Sequence, residues 1–249
     1  MSSSSHKIWF SLLHKRPYVG NEPNFPVVSD QNAIVELENN HQVILSELNR
    51  YLEQFVFESQ FNTTMVEKPR SWKVRSLKVW GVEMYEIQKH FPQTMQLLNQ
   101  IDGVINVGFN LLEPGAVIKP HYGDTNAIVR CHLGLIIPEE NDTCAIKVNG
   151  EIRHWVQGKV TGFTDAYEHE AWNKTAKQRI IMLFDILKPE FAARKNEICG
   201  VVLASLYIQR LGNVFPGLYH INPAWLYPIS YPLSFFMRVM IPIRNRLKK

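Results

Sequence analysis

Residues 105–137 read INVGFNLLEPGAVIKPHYGDTNAIVRCHLGLII and decide the fold. Apolar and polar residues tend to alternate in 105–112 and in 128–137, and the turn residues Pro114 and Gly115 follow the first of these segments. This period-two pattern with dense turn residues indicates short strands. We find no helical pattern between 105 and 187, no Gly-x-Gly-x-x-Gly motif and no Walker A loop, which argues against a parallel nucleotide-binding sheet.

The same pattern continues toward the C-terminus in four more segments. The first two flank Asn149 and Gly150, a dipeptide that strongly favours a two-residue hairpin turn. Short strands at near-even spacing, without crossover helices, predict a sandwich or barrel. We therefore expect a mainly β fold whose further strands cover residues 144–148, 151–156, 159–164 and 179–187.

Helices are predicted before the strands. The first has one apolar face at helical spacing, and the second begins at Pro92, because proline is tolerated in the first turn. Residues 1–30 are interpreted as an N-terminal arm, 31–190 as the main domain and 191–249 as an apolar and basic C-terminal extension. The face of the first helix consists of Ile44, Leu48, Leu52 and Phe55.

The C-terminal extension differs from the rest in its prolines and aromatic residues. Pro228, Pro232 and Pro242 predict that it does not form a single long helix. Two interpretations stay open: it packs on the barrel or on a dimer partner, or residues 220–249 contact an anionic membrane surface. One helical face could be shared by Leu226, Ile229, Leu233, Met237 and Met240.

Composition limits the class of protein. The chain has 249 residues, of which 45% are hydrophobic and 20% are charged, as in a globular domain with appendages. The net charge of +4 is too small to indicate nucleic-acid binding, and we expect none. Three cysteines without paired spacing favour a reducing compartment, so a cytoplasmic location is expected, with possible peripheral attachment to a membrane.

Histidine and arginine residues stand out within the predicted strands. Arg130 and His132 are two residues apart, so both point to the same side of their strand. His121 follows a turn at an expected barrel mouth. His169 is placed in a polar loop between two strands, and Arg179 opens the next strand.

These residue types suit a metal centre with an anionic co-substrate. Imidazole is a good ligand for Fe(II), and two histidines leave coordination positions open. An arginine on an apolar strand needs an anionic partner, for example a carboxylate of a 2-oxo acid.

Residues 119–135, 163–172 and 179–186 resemble the aspartyl/asparaginyl β-hydroxylase family, and the similarity extends over about residues 65–190. The resemblance implies a double-stranded β-helix, which is a jelly-roll or cupin-like barrel. It also implies an oxygenase that uses Fe(II), the co-substrate 2-oxoglutarate and O2. His121 and His169 match the iron ligands, and Arg179 matches the arginine that pairs with the C5 carboxylate of 2-oxoglutarate.

Four further residues match positions around the co-substrate. Arg130 and His132 match residues that line the co-substrate and substrate site, and Trp72 matches a tryptophan near the co-substrate. Asn110 stands where the family often has a small hydroxyl residue. The resemblance implies that the protein supplies only two histidine ligands and that water takes the third coordination position on the iron. Asp124 is an alternative third ligand.

The resemblance implies hydroxylation of an unactivated C–H bond. The expected substrate is the β-carbon of an aspartyl or asparaginyl residue in a peptide or protein. One alternative is an acyl chain of lipid A at a membrane surface. Another alternative, of a different class, is a β-barrel binding module without catalysis.

Overall fold

The computed structural model describes residues 7–14, 16–139, 141–215, 217 and 223–247. Residues 1–6 of the predicted arm and the terminal lysines 248–249 lie outside these ranges. Short 3-10 helices at Thr63–Met65 and Pro189–Arg194 accompany the longer elements. In chain order these are α1 (Asn32–Asn39), α2 (His41–Leu52), β1 (Glu58–Ser59), β2 (Trp72–Val79), β3 (Val82–Glu83), α3 (Tyr85–Gln88), α4 (Pro92–Leu98), β4 (Val104–Leu112), β5 (Ala116–Tyr122), β6 (Ile128–Ile136), β7 (Cys144–Val148), β8 (Glu151–His154), β9 (Val160–Phe163), β10 (Glu168–Asn173), β11 (Arg179–Leu187), α5 (Lys195–Val214) and α6 (Pro223–Leu247).

Two antiparallel sheets form the barrel. The larger has the strand order β1-β2-β4-β11-β6-β9, with β3 paired to β2, and the smaller has the order β5-β10-β7-β8. Apolar side chains of both sheets meet in one buried cluster, with Ile118 and Ile146 from the smaller sheet and Ile181 from the larger. The jelly-roll fold predicted from the sequence is confirmed.

The alternation of side chains along β6 and β11 separates two cores. Ile180, Met182 and Phe184 belong to a cluster that also contains residues of α1, α2 and α4, so these helices cover the outer face of the larger sheet. Ile181, with its neighbours Arg179 and Leu183, points to the opposite side. The inward-pointing side chains therefore include the polar residues that the sequence analysis singled out.

Strand boundaries confirm much of the predicted pattern. Strands β7 (Cys144–Val148) and β11 (Arg179–Leu187) have the predicted bounds. The hairpin that joins β7 to β8 turns at Asn149 and Gly150, which both have positive φ. The placement of His169 in a loop was wrong, because it lies on β10 between β5 and β7. The polar residues Glu168, His169 and Glu170 hide this strand from a hydrophobic pattern.

The prediction for the C-terminal extension was also wrong, since α6 is a single helix that includes all three prolines. Tertiary packing overrides their low helix propensity. A Cβ atom at Gly200 of α5 would lie 2.6 Å from the carbonyl oxygen of Ser234, which shows how closely the two helices approach. Asn245 adds two hydrogen bonds to the loop at β3, through Gly81 O at 2.7 Å and Glu83 N at 3.2 Å. The side chains of Leu226 and Ile229 lie outside the described residues.

Candidate active site

Two histidines lie side by side on adjacent strands of the smaller sheet. His121 on β5 and His169 on β10 are direct cross-strand partners, and their ring centroids are 4.2 Å apart. Each Nδ1 bonds a backbone carbonyl two residues earlier, Lys119 O at 2.8 Å and Tyr167 O at 2.9 Å. A carbonyl oxygen can only accept, so Nδ1 carries the proton and Nε2 keeps its lone pair. Metal-binding histidines are commonly oriented in this way.

Burial keeps this histidine pair neutral. It lowers the pKa of His121 below its ordinary value, although the bond to Lys119 acts in the opposite direction. Burial lowers the pKa of His169 further, and the nearby His121 adds to the effect. Neutral imidazole is the form that binds a metal ion, so both side chains are ready for coordination at neutral pH.

No third protein ligand completes a cluster here: across the described ranges, no three His, Cys, Asp or Glu side chains are grouped to hold a metal ion. Two residues after His121 comes Gly123, and a Cβ atom there would collide with the carboxylate of Asp165. Asp165 Oδ1 lies 3.7 Å from His169 Nε2. The backbone N–H of Asp124 donates to Asp165 Oδ2 at 3.2 Å. Asp165 therefore takes the space that an acidic side chain at position 123 would occupy.

Arg130 holds the buried carboxylates together. Its Nη1 lies 2.6 Å from Asp165 Oδ1, and its Nε and Nη2 donate to Asp185 at 2.7 and 2.9 Å. Asn106 also donates to Asp185, at 2.8 Å. Burial alone would lower the pKa of Arg130, but the two carboxylates raise it above its ordinary value. The anionic partners of Arg130 are thus residues of the chain itself, and a bound anion is not needed to balance its charge.

Arg179 has no such partner. Its side chain is 2% exposed, and Nε and Nη1 are buried without a hydrogen-bond partner in the part of the chain that the structure describes. The guanidinium stacks on Trp155, with its carbon 4.5 Å from the ring centroid. Burial lowers the pKa of Arg179 to about 10, so the charge persists at neutral pH. Buried, charged and incompletely bonded, this side chain has the chemistry to receive an anion.

His132 stands between Arg179 and the histidine pair. The indole N–H of Trp155 donates to its Nδ1 at 3.2 Å, so the neutral imidazole carries its own proton on Nε2. Burial, followed by the charge of Arg179, lowers the pKa of His132 well below its ordinary value. Nε2 is buried and has no partner among the described residues. Phe163 connects the two regions, because its ring lies 5.0 Å from His132 and 5.3 Å from His169.

Trp72 and Asn110 contact each other. The indole N–H of Trp72 donates to Asn110 Oδ1 at 2.8 Å. Both residues line a cleft of about 540 Å³, together with His121 and Arg130. Trp72 and Arg179 are also each paired with Leu112 of β4, so they occupy the same row of the larger sheet.

Sequence reasoning missed three members of this site. Asp165 lies in a turn without periodic pattern, four residues before His169, and offered no signal of its own. Asp185 lies six residues after Arg179 and so on the same face of its strand, which was a usable signal for a partner of Arg130. Trp155 follows the predicted hairpin, but its stacking on Arg179 depends on tertiary structure.

The residues present fit an iron ion with a dicarboxylate co-substrate. Two oriented imidazoles supply nitrogen ligands, and the missing third protein ligand leaves positions open for other molecules. The unpaired N–H groups of Arg179 and His132 are buried hydrogen-bond donors. Such donors are costly unless an acceptor binds them, and carboxylate oxygens are suitable acceptors.

Comparison with known proteins gives independent evidence of the family to which this chain belongs. The family described as aspartyl/asparaginyl beta-hydroxylase matches residues 38–189. The ornithine lipid ester-linked acyl 2-hydroxylase of Rhizobium tropici is 35% identical over 184 residues, covering 72% of this chain and 65% of that protein. The aspartyl/asparaginyl beta-hydroxylase of Mus musculus is 35% identical over 130 residues, covering 50% and 17%.

Among solved structures, a Pseudomonas putida prolyl-4-hydroxylase aligns with a TM-score of 0.41 and 16% identity, over 64% of this chain and 90% of that one. The chain spans less than two thirds of the length of the curated relatives given above. The family match covers most of the barrel and includes His121, His169 and Arg179. This chain belongs to the aspartyl/asparaginyl β-hydroxylase family.

Proposed function

We propose that this chain is an Fe(II)- and 2-oxoglutarate-dependent hydroxylase. The observation that carries the proposal is Arg179, a fully buried cation with two unpaired guanidinium nitrogens, in the same barrel interior as the His121–His169 pair. A structural arginine would be paired with a carboxylate, as Arg130 is. A binding module without redox chemistry would not need oriented imidazoles next to such an anion receptor.

Each residue has a defined task in this proposal. His121 and His169 hold the iron through Nε2, and their backbone bonds fix the rings. Arg179 pairs with the distal carboxylate of 2-oxoglutarate, and the Nε2 proton of His132 is available to a second carboxylate oxygen. Trp72 and Asn110 border the pocket on the cleft side.

The cofactor pair supplies the oxidising chemistry when bound: with O2, 2-oxoglutarate is converted to succinate and CO2, and a substrate C–H bond becomes C–OH. The chain supplies orientation and a site from which water is excluded. Phe163 and Trp155 are buried and contact His132, and they also contact His169 and Arg179 respectively, so aromatic rings fill the space around these polar groups. Arg130 keeps Asp165 in place beside His169.

Two substrate classes follow from the relatives. The name of the Mus musculus relative points to the β-carbon of an aspartyl or asparaginyl residue, and this remains our leading substrate class. The name of the Rhizobium tropici relative points to a lipid acyl chain. One observation favours this second class: four of the six cleft-lining residues on α5 and α6 are Leu203, Leu206, Tyr207 and Met237, and the other two are Gln209 and the cation Arg210.

Anaerobic titration of the metal-free protein with Fe(II) and 2-oxoglutarate tests the proposal. We expect a visible charge-transfer band in the wild-type protein, and its loss in His121→Ala and His169→Ala. Arg179→Lys should keep the band but require more 2-oxoglutarate, since lysine lacks the bidentate fork. His154→Ala changes an exposed histidine of β8 and serves as the control.

Turnover then separates catalysis from binding, and one substrate class from the other. Succinate release should depend on both His121 and His169. Normal 2-oxoglutarate turnover in folded His169→Ala protein would refute the assignment of the iron site. Mass spectrometry of an aspartyl peptide and of a dispersed acyl lipid, each incubated with the enzyme, shows which one gains an oxygen atom.

A further inference from the structure

The outer face of α6 is apolar although it faces solvent. We define this outer face as Phe235, Phe236, Val239, Met240, Ile243 and Leu247. Phe235 is 62% exposed, Phe236 56% and Leu247 82%. The opposite side of the helix is buried against the protein, at Ser230 and Ile241. An exposed apolar strip of this kind marks a surface that is covered in the working state of a protein.

The charge of the surrounding chain indicates what covers it. Glu197 is the last acidic residue, so 198–249 contain no Asp or Glu. Arg238 and Arg246 are exposed on α6 itself. The same region also carries Arg210, Arg244, Lys248 and Lys249. Acidic side chains near α6 come from other segments: Glu197 interacts with Arg238, and the backbone of Glu83 bonds Arg244 and Asn245. The helix itself carries only basic charges beside its apolar strip, which is complementary to a bilayer with anionic headgroups.

The geometry of α6 fits a helix that lies in the surface of a bilayer. None of the helices in the described ranges is long and apolar enough to cross a membrane. The helix nevertheless exposes bulky apolar residues over about four turns, from Phe235 to Leu247. Such a helix buries its apolar side at the boundary between headgroups and acyl chains.

The position of α6 also connects this surface with the active site. Met237 of α6 and Leu203, Leu206 and Tyr207 of α5 line the cleft that contains His121. One side of this helical pair therefore borders the cleft, while the outer face points away from the protein. A bilayer on the outer face would lie next to the wall of the cleft.

We propose that the outer face of α6 docks the enzyme on an anionic lipid bilayer, so that the cleft takes its substrate at the membrane surface. Docking requires neither iron nor 2-oxoglutarate, so it can be tested independently of the proposed chemistry. The competing occupant is a second copy of this chain, joined through the same face.

Sedimentation with vesicles tests the proposal on the full chain. The vesicles are pure phosphatidylcholine, or phosphatidylcholine mixed with phosphatidylglycerol. We expect binding to the anionic vesicles and little to the neutral ones. Phe235→Asp with Phe236→Asp should weaken binding at least ~10-fold, because two apolar anchors are lost and negative charge is added. Arg238→Gln with Arg246→Gln should weaken it about fivefold per arginine.

Control variants and the oligomeric state complete the design. Val19→Asp with Val56→Asp changes two exposed valines elsewhere and should bind like the wild type, as should Arg50→Gln. Circular dichroism verifies that every variant is folded. The proposal would be overturned if the wild-type protein did not bind anionic vesicles, or if the α6 variants bound them as well as the controls do. It would also be overturned by a wild-type dimer that the phenylalanine variant converts to monomers without any vesicle binding.

Discussion

Replacement of Arg179 by methionine should make the protein more stable and unable to bind its co-substrate. Burial lowers the pKa of this arginine from its ordinary value to about 10, which corresponds to a penalty of about 3 kcal/mol for keeping the charge inside the folded chain. Because the group is a base, this penalty applies at every pH below about 10 and vanishes above its ordinary pKa. Methionine removes the penalty, but it also removes the stacking on Trp155, which is worth about 1 kcal/mol.

The net gain is therefore about 2 kcal/mol for the protein without ligands. In a chain of this length, that gain corresponds to a rise in Tm of roughly 4–8 °C. The behaviour with ligands is the opposite. With Fe(II) bound under anaerobic conditions and 2-oxoglutarate at ~100 times its Kd, the wild type gains about 2.7 kcal/mol, whereas Arg179→Met gains nothing from 2-oxoglutarate.

Urea unfolding of the metal-free proteins and thermal unfolding with and without 2-oxoglutarate measure both effects. Arg153→Met is a matched control, because Arg153 also stacks on a ring, that of Phe25 at 4.2 Å, but is half exposed. It should lose a little stability and keep the full response to 2-oxoglutarate. An Arg179→Met protein that is less stable than the wild type, or that still responds to 2-oxoglutarate, would refute the view of Arg179 as an unpaired anion receptor.

Three further predictions concern the buried polar groups and the helical pair. Burial lowers the pKa of His132 well below 6.5, so below that pH the unfolded chain binds a proton that the folded chain excludes. As the pH is lowered, the unfolding free energy should thus fall by up to about 1.4 kcal/mol per pH unit. Urea titrations between about pH 7 and about pH 5 should show a smaller pH dependence for His132→Phe than for the wild type. Arg130→Met leaves Asp165 and Asp185 buried without their cation and should cost about 3–5 kcal/mol by urea unfolding, so a neutral effect would contradict the ion-pair network. Gly200→Ala forces α5 away from the α6 backbone and should cost about 1–3 kcal/mol by thermal unfolding, while an unchanged Tm would mean that the helices are loosely packed.

The sequence predicted the parts of the fold whose side chains alternate between core and solvent. Strands β7 and β11 were predicted with their observed bounds, because apolar residues dominate them. Strands β5 and β10 were not predicted. Pro120 interrupts the pattern of β5, which lies at the edge of its sheet, and β10 begins with three polar residues. These two strands carry the two histidines of the proposed iron site, so that site was predicted from its motif and not from its secondary structure.

Most of the residues that bond to the site residues could not be predicted from the sequence. Which anion meets Arg130 and which meets Arg179 depends on the register of β11 against β6 and on the loop that holds Asp165. From the sequence, we expect the same kind of partner for both arginines, namely an anion. Only the structure separates them, since Arg130 is paired with carboxylates, while two nitrogens of Arg179 have no partner among the described residues.

If His121 and His169 hold iron as proposed, their direct pairing makes iron binding a test of correct folding. These residues sit opposite each other in adjacent strands, next to an irregularity between His169 and Ala171. Because side chains alternate between the two faces, a shift of β10 by one residue would turn His169 to the other face of the sheet. A misfolded chain would then lose the metal completely. A population of molecules would accordingly divide into fully loaded and empty ones, and the iron content of a preparation would count its correctly paired chains.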